Sequence, residues 1–326
     1  MKTFSNATAH DLRQAISLSQ QAHQAGKTAA FAGGGSDLLG MVKERIVTPD
    51  VIVHLKTIKG LDQISSNGKG ITIGGQATLD TISHHPVIRK QYTVLAEAAE
   101  TVATLQIRNV GTIAGNVSQR PWCWYYRNGF PCFKAGGNTC FSISGENQFH
   151  AIFGGGPSFI VHPSDTAPAL VALGAEFRIA GPSGERTVPA ADFFVLPKVN
   201  AAHENVLAPD EILASIHIPA PKAGTKSTYH KVMDREAWTH AVVSAAVVLE
   251  TDKGVCRSAR IVLGGVAPIP WRLSEAEKLL AGQRITPELA AQVGEAAIKG
   301  ANPLSKNAYK LPLTQATVKD TLLGLA

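Results

Sequence analysis

The chain has 326 residues, 44% of them hydrophobic and 17% charged, with a formal net charge of +6. That length supports two or three domains with full cores, and its 31 lysines and arginines include no run of five, which argues against a nucleic-acid partner. No apolar stretch reaches the roughly 18 residues of a membrane span, and MKTFSNATAHDLRQ has no apolar core behind its lysine, so it does not read as a signal peptide. The pattern then predicts helix over 9–25, strand over 28–32, a break at Gly33-Gly34-Gly35-Ser36, helix over 37–42 and strand over 50–54. A new unit begins near Lys59-Gly60. Ile71 and Ile73 mark a half-buried strand, Thr78 or Asp80 caps a short helix, and 87–102 reads as one amphipathic helix. Ser164 or Asp165 caps a helix over 166–173, and 176–180 pairs with 185–188 as a hairpin across GPSG. A Pro/Ala linker at 219–224 introduces strands over 228–233, 241–250 and 255–266, the last two joined at Thr251-Asp252-Lys253-Gly254, then helices near 273–282, 287–300 and 313–325.

Three turns share one design: a strand ends, glycines follow, and Ser, Thr or Asn comes next. They are Ala32-Gly33-Gly34-Gly35-Ser36-Asp37, Gly74-Gly75-Gln76-Ala77-Thr78 and Gly111-Thr112-Ile113-Ala114-Gly115-Asn116. Glycine allows positive φ and close backbone approach, and consecutive N–H groups make an anion-binding concavity. On this reading a valine at Gly115 would fill the ligand channel and resist positive φ. None of the turns matches the Walker or G-x-G-x-x-G pattern, which disfavours P-loop and nicotinamide enzymes. Each is also compatible with a plain tight turn.

The segments FAGGGSDLLG (31–40), ITIGGQATL (71–79), QIRNVGTIAGNV (106–117) and HPSD (162–165), in this order and spacing, resemble the FAD-binding subunit of the xanthine dehydrogenase and aldehyde oxidase family. LGGVAPIPWR (263–272) resembles the signature of that family's C-terminal flavin-subunit domain. The likeness is greatest to members whose flavin subunit also carries a [4Fe–4S] cluster, such as bacterial periplasmic aldehyde oxidoreductases. The resemblance implies an α+β fold: a two-subdomain FAD-binding domain of the vanillyl-alcohol-oxidase/PCMH type over 1–218, divided near residue 58, with a cysteine-bearing loop at 119–162, and a C-terminal α+β domain over 225–326. It implies that Ala32, Gly33, Gly34, Gly35, Ser36 and Asp37 cradle the FAD pyrophosphate, with Thr78, Gly111, Thr112, Gly115 and Asn116 lining the channel. Asp165 would lie by the sugar hydroxyls, and Lys231 of YHKVMDR would approach the isoalloxazine. From the residues alone, Asp165 is equally a helix cap and Lys231 a solvated strand residue.

Three of the four cysteines fall together as Cys123-x8-Cys132-x7-Cys140. Such clustering suits metal or redox work better than a secreted disulfide framework, and without a C-x-x-C it is neither zinc ribbon nor ferredoxin run. The resembling cluster-bearing proteins place a fourth cysteine four residues before the histidine of HPSD, where this chain has Ser158. A serine must lose a proton to ligate and is a harder donor than thiolate. Ser158, His150, His162 or an open position each remain open as the fourth ligand. Cys256 reads as a buried apolar residue. No G-x-S-x-G, H-E-x-x-H or paired carboxylates suggest a substrate site.

The resemblance therefore implies an electron-transfer subunit: FAD and a probable [4Fe–4S] cluster here, a molybdenum-cofactor catalytic subunit and a small [2Fe–2S] subunit beside it, and an external acceptor. The expected compartment is the cytoplasm, or the periplasm by co-export with a signal-bearing partner. A stand-alone flavoprotein oxidase of the same superfamily and a non-enzymatic nucleotide-binding module are the alternatives.

Overall fold

Three sheets divide the chain in the computed structural model, which describes residues 2–326. The first is parallel: β1 (Ser5–Thr8), β2 (Ala29–Ala32) and β3 (Val51–His54), in the order β1-β3-β2. The helix Leu12–Gln24 crosses over it, with Asp11 accepting from the Gln14 N–H at 2.8 Å as N-cap. Its apolar side closes a small core with Val53, Leu55 and Ile58.

The second sheet is antiparallel: β4 (Ile64–Asn67), β5 (Gly70–Gly74), β6 (Glu176–Gly181), β7 (Gly184–Pro189) and β8 (Ile212–Pro219), in the order β4-β5-β8-β6-β7. Helices from 79 to 118 and the helix Thr166–Ala172 cover it. The core between them, including Ile71, Ile73, Leu95, Leu170, Phe177 and Ile216, is the largest in the molecule. The stretch 87–102 is not one helix. Tyr92, 1% exposed, takes φ −132° and ψ 47°, ends Pro86–Gln91 and lets Thr93–Glu100 start on a new axis. Burying that ring outweighs helical continuity, and hydrophobic periodicity alone does not register the bend.

The third sheet is antiparallel: β9 (Thr225–Val232), β10 (Val243–Asp252), β11 (Val255–Gly264) and β12 (Trp271–Arg272), in the order β12-β11-β10-β9. Lys253 and Gly254, at φ 50° and 77°, turn β10 into β11 with the positive φ pair that suits the twist of a two-residue hairpin. The helices Pro287–Ala297 and Lys310–Leu323 back this sheet, whereas the helix expected near 273–282 is shorter, Ser274–Glu277 followed by a 3₁₀ turn at Lys278–Leu280. The architecture is α+β throughout. Among the described residues no helix is long and apolar enough to cross a membrane.

Candidate functional site

The three glycine turns meet on one wall. Thr78 and Thr112 form an antiparallel bridge. Leu79 N–H donates to Gly111 O at 3.0 Å, Ile113 N–H to Ala77 O at 3.0 Å and Ala114 N–H to Gly75 O at 3.1 Å, which binds the second turn to the third. The first turn lies against both. A Cβ on Gly34 would sit 1.9 Å from Val110 O, and one on Gly33 would sit 2.7 Å from Gln76 Oε1 and 2.9 Å from Thr112 Oγ1. Gly35 has φ 72°, so only glycine is at ease there. A Cβ on Gly111 would lie 3.7 Å from Ser36 Oγ. Thr78 and Thr112 each cap a short helix, accepting from the N–H of Thr81 and of Gly115. Gly115 lies inside the helix Ile113–Ser118, so the expectation that it needs positive φ is wrong, and helical geometry is the reason. Gln76 is 6% exposed and its Oε1 has no partner. A buried oxygen left unpaired is uncommon enough to mark a place where a donor belongs.

Asn116 extends the wall toward HPSD. Its Oδ1 accepts from Ser164 Oγ at 2.5 Å and Thr166 Oγ1 at 2.6 Å. Ser164 is the helix cap, accepting from Ala167 N–H at 3.0 Å, while Asp165 makes no capping bond. Asp165 is instead half of a buried ion pair: Lys231 Nζ stands 2.7 Å from its Oδ2, and the Tyr229 hydroxyl donates to its Oδ1 at 2.8 Å. Lys231 also donates to the carbonyls of Thr101 and Thr239. The solvated lysine expected from sequence is therefore overturned, because three oxygen acceptors take it out of water. Burial, reinforced by the Asp165 charge, holds the Tyr229 hydroxyl well above its ordinary pKa. The pair joins the second sheet's helices to β9, and Asp165 lines a cavity of about 540 Å³ with Trp122, Cys123, His162, Thr239 and His240.

The cysteine segment folds beside this cavity. Cys123 precedes the one-turn helix Trp124–Arg127 without capping it. His150 Nε2 lies 3.4 Å from the Cys123 sulfur. Burial pushes the Cys123 thiol up to about 11, although the nearby N–H groups of Tyr125 and Tyr126 pull it down, and the nearby Cys132 and Cys140 push it further up. Phe159 N–H points at Cys140 Sγ at 3.5 Å, which brings its neighbour, buried Ser158, to the same region. All four cysteines are free. Among the described residues no three His, Cys, Asp or Glu side chains converge tightly enough for a single metal ion.

Sequence reasoning missed the ion pairs that fix this segment. Arg127, which reads as an ordinary charged residue, donates to Asp37 at 2.8 Å and to the carbonyls of Pro121 and Arg120, with its guanidinium 4.2 Å over the Trp122 ring. It ties the cysteine segment to the first glycine turn. Glu204 takes Lys134 at 2.9 Å and Arg120 at 3.1 Å. Two cations against one carboxylate leave a net positive charge beside Cys132.

A family profile described as the FAD binding domain in molybdopterin dehydrogenase matches residues 2–221, and one described as the CO dehydrogenase flavoprotein C-terminal domain matches 228–325. The chain belongs to the FAD-binding subunits of the molybdenum hydroxylases. This FAD-binding subunit is 33% identical over 299 residues to the aldehyde oxidoreductase FAD-binding subunit PaoB of Escherichia coli (strain K12), covering 90% of each chain. It is 28% identical over 281 residues to the carbon monoxide dehydrogenase medium chain of Hydrogenophaga pseudoflava, 86% of this chain and 82% of that one. A solved carbon monoxide dehydrogenase from Hydrogenophaga pseudoflava, lacking the Mo-pyranopterin moiety, aligns with TM-score 0.77 and 26% identity over 98% of this chain and 96% of that one. The FAD-binding subunit is thus an oxidoreductase subunit.

Proposed function

We propose that the wall of three glycine turns holds FAD, and that the subunit passes electrons from iron–sulfur centres through the flavin to an external acceptor. The observation that carries this reading is the convergence of turns 32–37, 74–78 and 111–116, remote in sequence, around a buried and unpaired Gln76 oxygen. Backbone N–H groups from Ala32 to Ser36 cradle the pyrophosphate, and the small turn residues permit the approach that a Cβ would block. Asp37 acts through Arg127, ordering the turn. Thr78, Gly111, Thr112 and Gly115 form the floor, and Asn116 is oriented by Ser164 and Thr166. Asp165, held by Lys231 of β9, lines the cavity where a flavin ring would stand next to Cys123. Bound there, FAD supplies electron transfer in single or paired steps.

We further propose a [4Fe–4S] cluster on Cys123, Cys132 and Cys140. The Phe159 N–H aimed at the Cys140 sulfur, and the surplus positive charge of Arg120 and Lys134 over Glu204, suit an anionic thiolate-bound core. Partners follow by likeness to proteins named as subunits or medium chains: a molybdenum-cofactor catalytic subunit and a small [2Fe–2S] subunit, in a three-subunit complex. The compartment follows the complex, cytoplasmic unless a partner carries an export signal. Affinity purification of the chain from its own cells tests the assembly. Two co-eluting chains, with molybdenum in proportion, support it; a chain that elutes alone, bearing flavin and oxidising its own substrate, would favour the stand-alone oxidase.

A further inference from the structure

We infer that Lys310, at the start of the C-terminal domain's helix Lys310–Leu323, is a fixed positive charge that favours reduced over oxidised flavin; this rests on the reading above that the flavin ring stands in the cavity beside Cys123. Lys310 is 0% exposed, yet among the described residues it forms no ion pair. Its ammonium donates only to the carbonyls of Phe149, His150 and Gly265, at 3.1, 3.2 and 2.7 Å. Those three residues all line the cavity, so the charge lies directly behind the cavity wall. Its field already reaches that wall: burial first, and then the Lys310 charge, bring the His150 imidazole down to about 4.

Nothing nearby neutralises the ammonium. Asp234 is the one group that favours it electrostatically, and Asp234 is exposed and screened by water. Of the other carboxylates lining the cavity, Asp165 is taken by Lys231 and Glu146 by Lys306. Burial accordingly lowers the lysine's pKa to about 7. The N-terminal end of a 14-residue helix adds partial positive charge of its own. A buried cation with carbonyls but no counterion is costly unless an anion comes close. Taking up two electrons from the iron–sulfur centres, with one proton, leaves a flavin ring one unit more negative than before. That added charge is what the ammonium attracts, in a setting where water screens it little.

The charge is held rigidly. Segment 304–310 grips 146–150 along its length: Lys306 pairs with Glu146, Asn147 Nδ2 donates to Ser305 Oγ at 3.0 Å, Tyr309 Oη donates to Gln148 O at 2.9 Å, and Asn307 Nδ2 donates to His150 O at 3.0 Å. A group fixed by its neighbours needs no reorganisation when charge arrives. A lysine that served only as a clamp would act through such bonds alone, as Asn307 does, and the two roles separate in experiment.

The test uses the full chain loaded with FAD, in redox titrations at about pH 6, below the lysine's pKa of about 7. The midpoint potential against free FAD gives the ratio of affinities for reduced and oxidised flavin. Lys310→Met should lower that ratio by about tenfold, the scale of one unit charge about 10 Å away at an effective dielectric constant of about 20. Lys310→Gln, which still offers donors to the carbonyls, should do the same and replaces Lys310→Met if that variant fails to fold. Lys310→Arg and Asn307→Leu should stay within about threefold of the parent. The first keeps the charge, and the second cuts the clamp on His150 O without changing the charge. An unchanged ratio in the neutral variants overturns the inference alone. A fall of equal size in Asn307→Leu also overturns it and reduces Lys310 to a clamp. A parent that binds no FAD sinks the flavin reading and this inference together.

Discussion

Replacing Lys231 by methionine tests the joint between the FAD-binding region and the C-terminal domain. The substitution keeps much of the side chain's bulk but strands the Asp165 carboxylate, 4% exposed, with the Tyr229 hydroxyl as its one remaining donor. It also strips the Thr101 and Thr239 carbonyls of their shared donor. Removing one partner of a buried pair costs about 3–5 kcal/mol, chiefly through the orphaned charge. At about 2 °C per kcal/mol for a chain of this size, the melting temperature should fall by roughly 6–10 °C. The discriminating experiment adds Asp165→Asn. The amide still accepts from Tyr229 but carries no charge, so the double variant should be more stable than Lys231→Met alone by about 1 kcal/mol or more. Calorimetry on flavin-free protein reads the joint, and flavin content reads the cavity. A Lys231→Met protein that melts within about 2 °C of the parent, or a double variant less stable than the single, would show that the pair is not an uncompensated buried charge when broken.

Gly34→Ala should abolish flavin retention, because the new Cβ would need to occupy space 1.9 Å from Val110 O and would pry the first turn off the third. Gly115→Ala should retain FAD, since its Cβ meets only Thr112 Oγ1, at 3.1 Å, in helical geometry; bound-flavin absorbance after gel filtration separates the two. Arg127→Gln removes the link between the cysteine segment and Asp37, and should lower FAD and iron content together by loosening both; loss of iron with undiminished FAD would refute the coupling. Burial holds His162 neutral down to about pH 3, against 6.5 for a free histidine. The unfolded chain therefore takes the proton first, and the neutral ring's contribution is complete above about pH 6.5 and lost as pH falls toward 3, by about 1.4 kcal/mol per unit. Urea titrations at pH 6.5 and 5 should show the parent losing about 2 kcal/mol more than His162→Gln; equal losses would contradict a buried neutral ring.

The glycine turns were legible because Gly, Ser and Thr punctuate strands in a way that pattern reading detects. Their convergence was not. It depends on bridges such as Thr78–Thr112 and on the packing of Gly34 against Val110 O, which only tertiary structure creates. β1 (SNAT) and β4 (ISSN) are polar sheet edges with mostly exposed residues, so they carry almost no hydrophobic signal. β8 does carry one, with Ile216 and Ile218 alternating with Ser215 and His217, although the sequence reading passes over it. Asp165 and Lys231 stood out in the sequence as separate residues, and their pairing across 66 positions is the property no local pattern encodes. The same holds for Arg127 with Asp37.

The central claim is that this chain carries FAD and an iron–sulfur cluster together, and counting flavin, iron and acid-labile sulfide per chain on anaerobically purified protein tests it most directly. The account predicts one FAD with about four irons and about four sulfides. One FAD without iron would reduce Cys123, Cys132 and Cys140 to loop cysteines, and a colourless protein with neither would contradict the account outright.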